Sequence, residues 1–352
     1  MQENLIISKK ERLQYIDALR GLAMIMVVFV HVEVFSFFNF THTTALMYML
    51  SAIHMPLFFF ISGLCAYNPD KIYGFPKVKN DFYRLIIPAI VIGLLYTYFK
   101  LGEDFVFFFA NSMKAGYWFT FSLFEILLIY YAISNLTKKN RKAFMLVMWT
   151  FAVLLYILKL PFKTYETLEV VGNYLCLHQT FNYFIYFALG ITISKYKERV
   201  ESLFGYQSLI TLILVLFIAV SVLVLNIFPD YATDTVKWRV LDTLGETVVG
   251  VFGVLLLYIT FNKTQTKFSR SGMWQRGVIL VGNNTLAIYL IHYFLLPTFP
   301  QVGSFLLDYH SLIVELMVGC GLTVIIVVLS ITINRTIEFL CPSFGRFILG
   351  NK

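Results

Sequence analysis

Charge is scarce in this chain. Only 14% of its 352 residues are Asp, Glu, Lys or Arg, whereas a soluble domain carries about 25%. A soluble fold this apolar would expose very large greasy patches. Long polar stretches are missing as well: none exceeds about twenty residues, so no appended soluble domain is expected. The four cysteines, Cys65, Cys176, Cys320 and Cys341, are far apart and form no CxxC pair. That spacing indicates neither a metal site nor a disulfide framework. No small-residue cleavage site follows the first apolar run, so that run is expected to remain as a membrane helix.

What is abundant is apolar and aromatic. Hydrophobic residues make up 59% of the chain, with 36 Phe and 22 Tyr, a composition suited to lipid-facing and interfacial positions. A helix needs about 20 apolar residues to cross a bilayer. By that measure ten spans are expected, at 18–38, 44–67, 84–100, 117–136, 143–160, 179–195, 208–228, 241–262, 278–299 and 312–334. All are helical, because unpaired backbone groups are too costly in lipid. The expected fold is therefore an all-α, polytopic membrane protein, a single integral-membrane domain over 1–352.

Lys and Arg set its orientation. With the N-terminus cytoplasmic, 22 of the 28 Lys and Arg fall in inside segments and 6 in outside ones. This contrast places both terminal segments, 1–15 and 335–352, in the cytoplasm and the protein in the cell inner membrane. The net charge of +8 is then a topology signal, and no nucleic-acid partner is expected. The outer loops are more acidic, with Glu103, Asp104, Glu166, Glu169, Asp230, Asp234 and Asp308. These form either a solvated rim or a surface that hydrogen-bonds sugar hydroxyls. No internal repeat or low-complexity segment is visible.

Ionisable side chains in the bilayer core are costly and mark functional positions by default. His31 lies eleven residues after Arg20 on the first span. That is roughly 16 Å along the helix, and eleven steps of about 100° return to within about 20° of the start. The two side chains therefore share a face. Asp17 lies about one turn before Arg20 on nearly the same face. One stripe thus carries a carboxylate and a guanidinium at the cytoplasmic entrance and an imidazole deeper in. His54 on the second span, Glu125 on the fourth and His292 on the ninth each fall on the order of 12–15 Å deep. Asn284 stands near the inner end of the His292 span. His54 and His292 are open to two readings, interhelical hydrogen bonding or a shared midplane site. Glu33 lies farther out and points away from His31.

An imidazole titrates near neutral pH. His31 can serve as general base for a hydroxyl attacking a thioester, or take the acyl group itself as a covalent relay. Glu125 can orient or recharge an imidazole. The Arg20 guanidinium suits a phosphate anchor, such as the phosphate end of coenzyme A. Lys77, Lys79 and Arg84, before the third span, can share that work or simply reflect the positive-inside bias.

These residues carry a resemblance. The stretch YIDALRGLAMIMVVFVH (15–31) resembles the first-helix motif of the membrane acyltransferase 3 family, in which Arg precedes His by eleven positions. HMPLFFFISG (54–63) resembles the family's second-helix motif, in the form typical of its fucose 4-O-acetylase-like branch. RLIIP (84–88), YWF (117–119), LFEILLIYY (123–131) and NNTLAIYLIH (283–292) match later landmarks in order. The resemblance implies acetyl-CoA as donor and a cell-envelope glycan or lipid-linked sugar as acceptor. It implies His31 as the essential catalytic residue with Arg20 as its partner, Ser62, Gly63 and Arg84 in a cytoplasmic-side region, and landmark positions for Trp118 and Glu125. The sequence departs from the pattern at Leu64, and at Asp81 and Phe82, where the family often has a second Arg. That departure shifts donor phosphates toward Lys77 or Lys79. Ser62 and Gly63 have a packing reading too, since small residues let helices approach closely.

The leading expectation is thus an acyl-CoA-dependent O-acyltransferase. Its candidate catalytic residues are His31, Arg20 and Glu125, and its donor-binding candidates are Arg20, Ser62, Gly63, Arg84, Lys77 and Lys79. Supporting candidates are Asp17, His54, Trp118, Asn284 and His292. No metal is expected, and a homo-oligomer is compatible with this reading. The alternative is a transporter of a glycan or lipid-linked sugar, because midplane polar residues also mark substrate pathways.

Overall fold

The computed structural model describes residues 2–38, 45–69, 71–227, 236–269, 272–309, 311–343 and 345. Asp230, Asp234, and residues 344 and 346–352 of the expected C-terminal segment lie outside the described residues. Every regular element among the described residues is a helix. In chain order these are α1 (Gln2–His31), α2 (Ala45–Ala66), α3 (Phe75–Tyr96), α4 (Phe105–Ala110), α5 (Trp118–Leu136), α6 (Arg141–Thr164), α7 (Glu166–Leu175) and α8 (Leu177–Lys195). Then follow α9 (Lys197–Leu203), α10 (Gln207–Ile227), α11 (Val236–Lys263), α12 (Gln265–Ser269), α13 (Met273–Asn283), α14 (Thr285–Leu295), α15 (Pro300–Tyr309) and α16 (Leu312–Leu340). Wider π-helical turns extend α1 over Val32–Ser36 and α3 over Thr97–Leu101.

Among the described residues, eight helices are long and apolar enough to cross a membrane. They are Gln14–Ser36, Met47–Ala66, Phe75–Leu101, Trp118–Leu136, Lys142–Lys159, Gln207–Val224, Thr243–Lys263 and Leu312–Leu340. Each corresponds to one expected span. The expected span 278–299 is instead a broken one. Met273–Asn283 and Thr285–Leu295 reach the necessary length only together, and the chain bends sharply between them at Asn284. The expected span 179–195 is α8, long enough but too polar to qualify by composition, with Gln179, Thr180, Asn182, Thr192 and Ser194 along it.

The chain folds into two compact units, each assembled from segments far apart in sequence. The first contains 1–58, 196–285 and 296–329. Here α1 is the enclosed helix: 67% of its apolar window is buried, against 17% for that of α10, which faces outward. Glycine brings α1 and α13 into backbone contact. A methyl group on Gly21 would collide with the Val278 carbonyl, and one on Gly282 with the Asp17 carbonyl. This is the small-residue packing by which membrane helices approach closely.

The second unit contains 59–195, 286–295 and 330–352. Its glycine seam joins α2 to α8. A methyl group on Gly63 would meet the Phe187 carbonyl, and one on Gly190 the Phe60 carbonyl. The segment after α2 is tied to the end of α5. Tyr73 N–H donates to Asn135 Oδ1 at 3.0 Å, and Asn135 Nδ2 donates back to the Tyr73 carbonyl at 2.7 Å. The Tyr73 ring stacks on Tyr131 with centroids 4.2 Å apart.

Candidate active site

In the first unit, α1 carries the expected stripe. Arg20 Nη1 donates to Asp17 Oδ1 at 3.1 Å. The two side chains are 35% and 25% exposed, so the pair orients Arg20 more than it stabilises the fold. His31 is the last residue of α1 and is half-buried, its ring edge-on to Phe35 at 5.6 Å. The π-helical turn begins at the next residue and closes with Phe37 N–H donating to the Val32 carbonyl at 3.1 Å. Turns of this kind recur at functional sites because they change which side chains share a face. Glu33, on that turn, is fully buried. It faces α16, where a methyl group on Gly319 would press on Glu33 Oε1. His54 is buried on α2, and its Nδ1 donates to the Leu50 carbonyl at 2.8 Å. Asn284 Nδ2 donates to the Leu280 carbonyl at 2.8 Å and so finishes α13 at the break.

In the second unit the donor-side candidates separate. Gly63 is a packing glycine by geometry, and Ser62 beside it is half-buried. Lys77 is engaged by Asp81, four residues on in α3. Asp81 is fully buried and also accepts from the Tyr131 hydroxyl at 2.6 Å. The position that departs from the family pattern therefore holds Lys77 rather than replacing it. Lys79 lies over the Tyr83 ring, 5.9 Å from its centroid. Arg84 is exposed.

Trp118 and Glu125 form one seam between α5 and α8. The two residues are seven apart, about two turns, and share a face. Trp118 stacks on Tyr183 with centroids 5.3 Å apart, and Glu125 Oε2 accepts from Thr180 Oγ1 at 2.5 Å. Thr180 and Tyr183 are one turn apart on α8. His292 is fully buried on α14, its Nδ1 donating to the Ile288 carbonyl at 2.9 Å, with Tyr293 packed on the ring at 4.2 Å. Both His54 and His292 thus use one ring nitrogen on their own helix.

A buried cation was not expected from the sequence. Lys114 precedes α5 and has no exposed surface. Burial pushes its ammonium below the ordinary lysine value, opposed by the Cys176 thiol and the Glu125 carboxylate. Burial likewise pushes the Cys176 thiol up to about 12, so Cys176 is a neutral and unreactive thiol.

A profile for an acyltransferase domain matches residues 13–335. The chain belongs to the acyltransferase 3 family. The match begins just ahead of the Asp17–Arg20 pair and ends within α16, so it spans most of both units. Comparison with curated proteins and with solved structures finds no match. Membership in the acyltransferase 3 family makes the protein a membrane acyltransferase with multiple apolar helices. Among the described residues no group of three His, Cys, Asp or Glu is arranged to hold a metal ion.

Proposed function

We propose that the protein moves an acyl group, acetyl in the simplest case, from cytoplasmic acyl-CoA to a hydroxyl of a cell-envelope glycan or lipid-linked sugar. The observation that carries this reading is the α1 stripe. Asp17 and Arg20 are paired one turn apart, and a half-buried His31 lies three turns farther along, at the point where the helix widens. In this reading Arg20 holds donor phosphate through paired hydrogen bonds. His31 takes the proton of the attacking hydroxyl as general base. The proton passes to the imidazole, the hydroxyl oxygen forms the new ester bond, and the thiolate of coenzyme A leaves. Glu125 supports an imidazole electrostatically. Lys77 is held by Asp81, so this reading assigns the donor-side phosphate contact to Arg84 and Lys79.

Topology belongs to the same proposal. Counting α8 and the broken α13–α14 pair as spans gives ten crossings with both termini cytoplasmic, in the inner membrane. The HMP form of the second-helix motif supports the fucose 4-O-acetylase-like branch. The test is direct. Purified protein incubated with acetyl-CoA and envelope glycan should release free coenzyme A, and glycans from a deletion strain should lose an ester-linked acetyl mass by mass spectrometry. Unchanged glycans together with no thioester consumption would sink the proposal.

A further inference from the structure

Lys114 is a lysine whose side chain is fully buried. Its ammonium donates to three main-chain carbonyls, those of Phe109 at 2.8 Å, Asn111 at 2.9 Å and Asn173 at 2.5 Å. Those bonds use all three of its donors and tie the chain before α5 to the end of α7. The turn it sits in is strained. Lys114, Ala115 and Gly116 have φ of 48°, 50° and 101°, and a left-handed backbone is unfavourable for the first two. Gly116 is held from the other side. The Tyr293 ring covers its α-carbon, and the Tyr289 hydroxyl donates to its carbonyl at 3.1 Å while accepting from Phe119 N–H at 3.2 Å.

Strained segments persist where the surrounding structure over-determines them. Glu125 lies two turns into α5 and accepts from Thr180 on α8; between Lys114 and Glu125 in the chain, Ser122 Oγ donates to the Cys176 carbonyl at 3.5 Å, three residues beyond the Asn173 carbonyl that Lys114 holds. We propose that Lys114 is a positioning residue for Glu125: it clamps the strained turn at the head of α5 against α7, and so fixes where Glu125 meets Thr180. This rests on the proposed participation of Glu125 in acyl transfer.

The experiment measures base-labile acetyl content of surface glycans in cells expressing the full-length chain, normalised to the amount of protein in the membrane. E125Q and K114M should each lower it at least about tenfold, and the double variant should match the weaker single within about twofold, because both act through one carboxylate. K114R, which keeps the charge, should stay within about threefold of the parent. Full activity of E125Q would remove the Glu125 reading itself. A low E125Q with a normal K114M would overturn the Lys114 proposal while leaving Glu125 in place, as would losses that multiply in the double variant. If K114M does not accumulate, K114Q replaces it. Failure of both to reach the membrane would make Lys114 a folding residue and overturn the proposal.

Discussion

Asp81 offers a sharp test of how the second unit is held. Its carboxylate is fully buried, takes the Lys77 ammonium on one oxygen and the Tyr131 hydroxyl on the other. Asp81→Asn keeps the shape and an acceptor for Tyr131 but removes the charge. A hydrogen bond to a charged group contributes about 1.5–3 kcal/mol, against about 1 kcal/mol for a neutral one. The Tyr131 bond should therefore lose roughly 0.5–2 kcal/mol. Lys77 is 31% exposed, so it re-solvates, and its share is discounted to about 1 kcal/mol or less. The expected total is about 0.5–3 kcal/mol, which lowers the melting temperature by up to several degrees. The assay is thermal unfolding of the detergent-purified protein. Tyr131→Phe should cost about 1.5–3 kcal/mol, and the double variant should cost less than the sum, since both singles break the same bond. A D81N protein that melts with the parent, and strict additivity with Y131F, would refute the claim that this carboxylate organises the network.

Other outcomes follow from the same geometry. Arg20→Lys keeps the charge but loses the planar fork, so KM for acetyl-CoA should rise about tenfold or more with a smaller change in kcat, measured by coenzyme A release. Gly63→Val should sharply reduce folded protein, since overpacking a tight contact costs about 1–3 kcal/mol even where side chains yield, and here the obstacle is the Phe187 carbonyl. Ser62→Ala, next to it, should fold normally, so a raised KM in that variant would report donor contact. Size-exclusion yield and kinetics separate the two.

Much of the fold was legible because hydropathy over about 20 residues is a strong signal. Eight expected spans coincide with eight helices to within a few residues, apart from the third, where the helix starts nine residues earlier, and the last, where it runs six residues farther. The break at Asn284 was not legible as a break. NNTLAIYLIH reads as part of one apolar run, and only the Asn pair marks the place where one helix ends and the next begins. The Asp17–Arg20 pairing followed from helical spacing alone. The role of Lys77 did not. Its spacing of four from Asp81 was visible, but a lysine beside the membrane reads as a topology marker until its partner is seen to be buried. Lys114 carried no signal at all. In NSMKAGYW it resembles any loop lysine, because a burial created by carbonyls from two distant segments leaves no trace in periodicity or composition. The π-helical turn after His31 was equally invisible, since VEVFS has no feature that distinguishes it from a continuing helix.

The decisive measurement concerns His31. Proton transfer by a positioned side chain contributes about 10²- to 10⁴-fold to a rate, so His31→Ala and His31→Gln should each reduce acetyl-CoA-dependent glycan acetylation by at least about a hundredfold while folding and membrane levels stay at those of the parent. Acetylation at the parental rate in a stably folded His31→Ala protein would contradict the account at its centre.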